Sequence, residues 1–169
     1  MLESFAAWLG HTPLNAFVAG QAWVVPLVQT IHILAIALVM GSIAIVHLRV
    51  LGLIERGQSV GALAARFVPP SVGAIVILAL TGFLMISGEP TRALFRYVFW
   101  AKMALVLAVV ALTAVLLAGL KASAVWSDAR ASAPIVWRVL AALVLLVWFA
   151  IIVAGRWIGY SEGWPGSPE

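Results

Sequence analysis

Four long apolar stretches separated by short polar segments run through most of this chain. They cover about residues 23–50, 71–88, 95–120 and 135–158. At ~1.5 Å of helix rise per residue, each can cross most or all of a hydrocarbon core ~30 Å thick. A segment buried in lipid must satisfy its backbone hydrogen bonds internally, so each stretch predicts a membrane-spanning helix. Residues 22–160 then form an all-α, integral membrane four-helix bundle. Trp23 stands where an interfacial aromatic anchor belongs, and Pro26 falls in the first turn, where its missing N–H costs little. Trp137 and Trp157 bound the fourth span in the same way.

The polar segments carry weaker patterns. Leu2, Phe5, Ala6 and Leu9 recur at helical spacing, as Leu14, Phe17 and Val18 do in part. Thr12 is placed to cap a second helix with Pro13 at its first position. Residues 1–21 therefore predict two short amphipathic helices on the membrane surface, with His11 in the turn between them. With no basic leader and no long apolar core, they do not read as a cleavable signal. Val60, Leu63, Ala64 and Phe67 share one face of another short helix, which Pro69 and Pro70 are expected to end. Gly73, Ala79 and Gly82 offer close approach to a neighbouring helix. Ala101, Ala104, Ala108, Ala111 and Ala118, with Val115 between, predict a small-residue packing seam along the third span. Residues 161–169, SEGWPGSPE, read as a flexible tail.

Composition narrows the chemistry. Hydrophobic residues make up 64% and charged residues 9%, far from an ordinary soluble domain. The absence of cysteine excludes disulfides, iron–sulfur clusters and thiolate metal sites. Glu3, Glu55, Glu89, Asp128, Glu162 and Glu169 all fall in loops or termini, so no carboxylate pair lies within a span. There is no phosphate loop and no nucleophile–base pair, and no catalytic residue is assigned. The net charge of +4 is read as membrane topology rather than nucleic-acid binding. Arg49, Arg56, Arg66, Lys121, Arg130 and Arg138 flank one side of the bundle; Arg92, Arg96, Lys102 and Arg156 flank the other. The positive-inside rule then puts both termini outside.

The residues that invite a functional reading are His32 and His47, both within the first apolar stretch. An ionisable side chain inside a membrane is expensive and is by default a functional candidate. Fifteen residues separate the two, a rotation of ~60° and a rise of ~22 Å, so the rings leave a similar face at two depths. His32 can instead hydrogen-bond a polar group on a neighbouring span and tie the bundle together. His47, beside Arg49 at a helix end, can be an ordinary interfacial histidine.

Trp23, Pro26, His32, Gly41, Leu48, Arg49, Leu51 and Gly52 form a pattern. Pro69-Pro70, Thr81-Gly82-Phe83 and Phe99-Trp100-Ala101-Lys102 extend it. It resembles an uncharacterised family of small bacterial four-span membrane proteins, a domain of unknown function. More distantly it is similar to the copper-resistance D and cytochrome b561-like bundles. The resemblance implies the bundle fold in a bacterial inner membrane, where the balance of loop charges would put both termini in the periplasm. In the cytochrome-like bundles, histidines on different helices face each other across a haem. This sequence departs from that, because the later spans contain no histidine.

His32 and His47 cannot share one iron across ~22 Å. A haem b could therefore be five-coordinate, take a methionine such as Met103 as its second ligand, or sit between two protomers related by a two-fold axis. Arg96, Lys102 and Arg156 are candidates to neutralise its propionates. Copper held by His32 or His47 with methionine is a less favoured cofactor. The expected role is electron transfer through a histidine-bound cofactor. The alternatives are an accessory or assembly subunit of a larger membrane complex and a copper or small-solute carrier. The expected partners are the lipid bilayer and a homo-oligomer, a dimer being favoured.

Overall fold

The computed structural model describes residues 1–157; the tail expected at 161–169 lies outside them. Helices α1 (Leu2–Gly10) and α2 (Pro13–Gly20) precede α3 (Val24–Val50). Then come α4 (Val60–Gly88), α5 (Pro90–Leu94), α6 (Tyr97–Lys121), a 3-10 turn (Ala124–Trp126) and α7 (Ile135–Trp157). Among the described residues there is no strand. Helices α3, α4, α6 and α7 are each long and apolar enough to cross a membrane. The chain is a multi-pass membrane protein built as a helical bundle.

The bundle has a capped end and a loop end. At the capped end α1 packs on α5 and α2 packs on α4. Thr12 turns the chain there: its hydroxyl donates to the Leu9 carbonyl at 2.7 Å and accepts from the Asn15 N–H at 3.2 Å. This is the cap expected beside Pro13. The Asn15 side-chain amide donates to the carbonyls of Ser87 (2.7 Å) and Gly88 (3.1 Å), two of the groups that the end of α4 leaves without helical partners.

Within the bundle α3 pairs most extensively with α4, α6 pairs with α7, and α3 joins the two pairs by packing on α7. Val39, Ala74, Val109, Val144 and Trp148 fill the middle. Val46, Val50, Leu63, Leu116, Leu120 and Val125 close the loop end. Leu34, Leu80, Leu107 and Leu146 point outward, as lipid-facing residues do. At the loop end α3 stops in a Schellman motif. The Leu53 N–H bonds the Leu48 carbonyl and the Gly52 N–H bonds the Arg49 carbonyl, both at 2.9 Å. Gly52 carries φ +77°, which a side chain would strain.

Two expectations fail in instructive ways. Pro69 and Pro70 do not end a helix; they lie inside α4, which continues from the surface segment into the span. Each proline removes one helical donor, orphaning the carbonyls of Ala65 and Arg66. Both of those residues are exposed near the loop end, where water reaches them. The alanine seam of α6 is also not an internal packing surface. Ala101, Ala104, Ala108, Ala111, Val115 and Ala118 are all exposed, while Val109, Leu116 and Leu120 face the core. Gly73 likewise faces open space, but Gly82 meets α3 as expected: a Cβ there would lie 3.8 Å from the His32 ring.

Candidate functional site

Both intramembrane histidines are held by one ring nitrogen. His32, half-buried on α3, lies with its Nδ1 2.7 Å from the Thr81 hydroxyl of α4. The Thr81 hydroxyl donates its own proton to the Ile77 carbonyl at 2.7 Å. When the hydroxyl proton serves Ile77, the oxygen accepts from the ring, and the tautomer with its proton on Nδ1 keeps the Nε2 lone pair available. An imidazole ligand of a metal or haem is usually prepared in this way, with one nitrogen anchored and the other presented.

The surroundings of His32 draw on all four spans. Lys102 of α6 lies within electrostatic range of the ring. Its ammonium packs against Gly155 of α7, where an added Cβ would stand 3.4 Å from Nζ. Among the described residues, the Lys102 ammonium makes no hydrogen bond or ion pair with an acidic group. Arg156, next to Gly155, is exposed. The structure thus gathers His32, Thr81, Lys102 and Gly155 near the capped end, one from each span. Two other candidates take different places. Arg96 is buried at the start of α6, beyond α5. Met103 packs into the cluster of Ala6, Leu94 and Phe99 beneath α1.

His47 differs. It is 1% exposed, and its Nδ1 donates to the Ile43 carbonyl one turn back on its own helix at 2.8 Å. Among the described residues its Nε2 is buried without a partner. The ring lines a cavity of about 180 Å³ among α3, α4, α6 and α7, and Trp148 lines the same cavity with its indole N–H also unpartnered. Ligand pockets for drug-sized molecules run to about 300–1,000 Å³, so this space does not admit a porphyrin. Because His47 faces the interior, this packing does not let it meet its own copy across a two-fold axis. Among the described residues no three His, Cys, Asp or Glu side chains are gathered around a metal-sized space.

In the sequence Arg49 stands as a topology charge and as one residue of the family pattern, with no sign of a structural bond. It is 3% exposed, and its guanidinium donates to the carbonyls of Gln58 and Ala129, both at 2.7 Å. One side chain thereby ties the α3–α4 loop to the α6–α7 loop. Arg138 adds a bond to the Leu51 carbonyl at 3.0 Å. Arg49, Arg56, Arg130 and Arg138 together line a recess of about 480 Å³ at the loop end. The signal was present: an arginine directly before a glycine-terminated helix end, with two loops needing partners for their backbone carbonyls.

No curated protein and no solved structure matches the chain. With a family model matching residues 4–161, the chain belongs to the family of unknown function DUF6644.

Proposed function

We propose that this protein is a bacterial inner-membrane redox protein that binds a b-type haem through His32. Both termini lie on the periplasmic side in this reading, following the balance of loop charges. The observation that carries it is the His32–Thr81–Ile77 relay, which engages Nδ1 and so makes Nε2 the nitrogen to present to a ligand site. Lys102 supports it. An unneutralised ammonium in a span needs an anionic partner, and a propionate would be one. A bound haem would supply one-electron chemistry, and the chain's part is to orient the ligand, offset the carboxylate charge and exclude water. The half-exposed ring is reached from the bundle surface, so His32 of a second copy would be the other residue to hold the group, in an isologous dimer. His47 has no ligand role in this reading.

The test is an absorbance spectrum of detergent-purified protein from haem-sufficient cells, air-oxidised and then dithionite-reduced. The expected result is a Soret band and a reduced α-band that vanish in His32→Ala and persist in His47→Ala. One haem per two chains marks the shared dimer site, and one per chain marks a site within the protomer. A featureless spectrum overturns the reading in favour of an accessory subunit.

A further inference from the structure

Four arginines converge on one recess at the loop end. Arg49, Arg56, Arg130 and Arg138 line it, and no aspartate or glutamate does. A guanidinium keeps its charge at any physiological pH, so the four repel one another across this space. Among the described residues none of them forms an ion pair. The acidic residues nearest to them in sequence are engaged elsewhere. The Glu55 carboxylate accepts from the Gln58 amide at 3.0 Å, and the Asp128 carboxylate accepts from the Arg130 backbone N–H at 2.8 Å.

Three of the four are also held in place. Arg49 is fixed by its two bonds to loop carbonyls. Arg56 donates through Nε to the Gly52 carbonyl at 2.7 Å, and Arg138 through Nη2 to the Leu51 carbonyl at 3.0 Å. Leu51 and Gly52 line the recess themselves. Capping the end of α3 explains those bonds, but it engages only part of each guanidinium, which carries five N–H donors. The Arg49 Nη1 makes no hydrogen bond among the described residues and is not sealed in the interior, although the residue is 3% exposed. The exposed Arg130 side chain caps nothing: among the described residues it makes no hydrogen bond at all. Its charge is the one that a purely structural cluster would not add.

We infer that this recess binds a phosphate-bearing polyanion, carried by an anionic phospholipid or by a soluble phosphate compound. Guanidinium forks match the oxygens of a phosphate in pairs, and four of them call for more negative charge than one carboxylate supplies. A volume of about 480 Å³ lies within the ordinary range for ligand pockets, ~300–1,000 Å³, and is not a close cage for one small ion. Its level in the membrane suits a lipid head group. The recess lies at the ends of two spans, α3 and α7, where basic pockets take such groups. Ile135, Val139, Leu143 and Leu146 are exposed along one stripe of α7 that starts beside Arg138, a surface for the acyl chains. The site is at the opposite end of the bundle from His32, so it stands or falls separately from a haem there.

The experiment is native mass spectrometry of the full chain released from uncharged detergent and titrated with four probes. Cardiolipin and inorganic diphosphate carry the phosphate; phosphatidylcholine and citrate are the controls for lipid and for charge. The expected result is a saturable one-to-one adduct with a phosphate probe that neither control matches. Saturation by cardiolipin alone assigns the site to a lipid head group, and saturation by diphosphate, with or without cardiolipin, assigns it to phosphate independent of a lipid chain. Arg130→Gln and Arg56→Gln each weaken binding about tenfold, the worth of one charge-assisted hydrogen bond. Arg66→Gln removes the same charge from the same end of the bundle, outside the recess, over the Phe67 ring, and leaves binding unchanged. Three results overturn the inference: no adduct with either phosphate probe, a control that binds as tightly as they do, or equal losses in Arg66→Gln and Arg130→Gln, meaning diffuse attraction. If Arg56→Gln fails to fold, the comparison of Arg130→Gln with Arg66→Gln decides alone.

Discussion

The two histidines of α3 are anchored by the same nitrogen but to different things, and their surroundings diverge accordingly. His32 is hydrogen-bonded through Nδ1 to another helix, so its bond is also a strut between α3 and α4. His47 gives its Nδ1 proton to its own helix, to a carbonyl that a regular helix already satisfies. Its bond therefore orients a ring without joining two elements. The joining at that end falls to Arg49, which spans two loops, to Arg138, which bonds the Leu51 carbonyl, and to close packing of Trp137 on Gly119. A polar group in a span can thus be a fastener or a presented ligand, and the partner of its bound nitrogen tells which roles are open to it.

The largest test of this contrast is Arg49→Leu. It strands the Gln58 and Ala129 carbonyls and should lower unfolding stability by about 3 kcal/mol in detergent, with Arg49→Lys restoring only part, because an ammonium lacks the fork that reaches both. Gly119→Ala follows at about 2 kcal/mol, since a Cβ there collides with the Trp137 ring. Thr81→Val removes the strut at nearly constant shape and should cost about 1 kcal/mol; intramembrane hydrogen bonds average somewhat less. With His32→Leu it should show coupling in a double-mutant cycle, because each single change already breaks the bond. The smallest effect belongs to His47→Leu, within about 0.5 kcal/mol, as it removes a redundant bond and an unpaired nitrogen together. A loss at His47 as large as at Thr81 would erase the distinction drawn between them.

The candidate site was legible in part. His32 stands out in any reading as an imidazole deep in an apolar run, and Lys102 and Arg156 as cations near the same end. Thr81 was visible only as part of a Thr-Gly-Phe pattern, because a threonine in a span gives no sign of whether its hydroxyl serves its own helix or a neighbour. Nothing in the sequence sets Trp148 apart from the other tryptophans, yet it is buried mid-span in the core of the bundle.

The sequence by itself determined the all-α class, the four spans, the two short helices before them, with Thr12 capping the second, and the place of each histidine along α3. These follow from local quantities: run length against bilayer thickness, backbone self-satisfaction in lipid, and cap residues at helix starts. Only the tertiary structure decided which side of each span faces inward. In water, burial separates an apolar face from a polar one. In a membrane, lipid and core are equally apolar, so α6 can turn its alanine stripe to the outside and Val109, Leu116 and Leu120 to the inside with no hydropathy signal. The same indifference hid the course of α4 through Pro69–Pro70 and the cavity beside His47. These depend on which surfaces fit together, and a pattern of apolar residues does not encode fit.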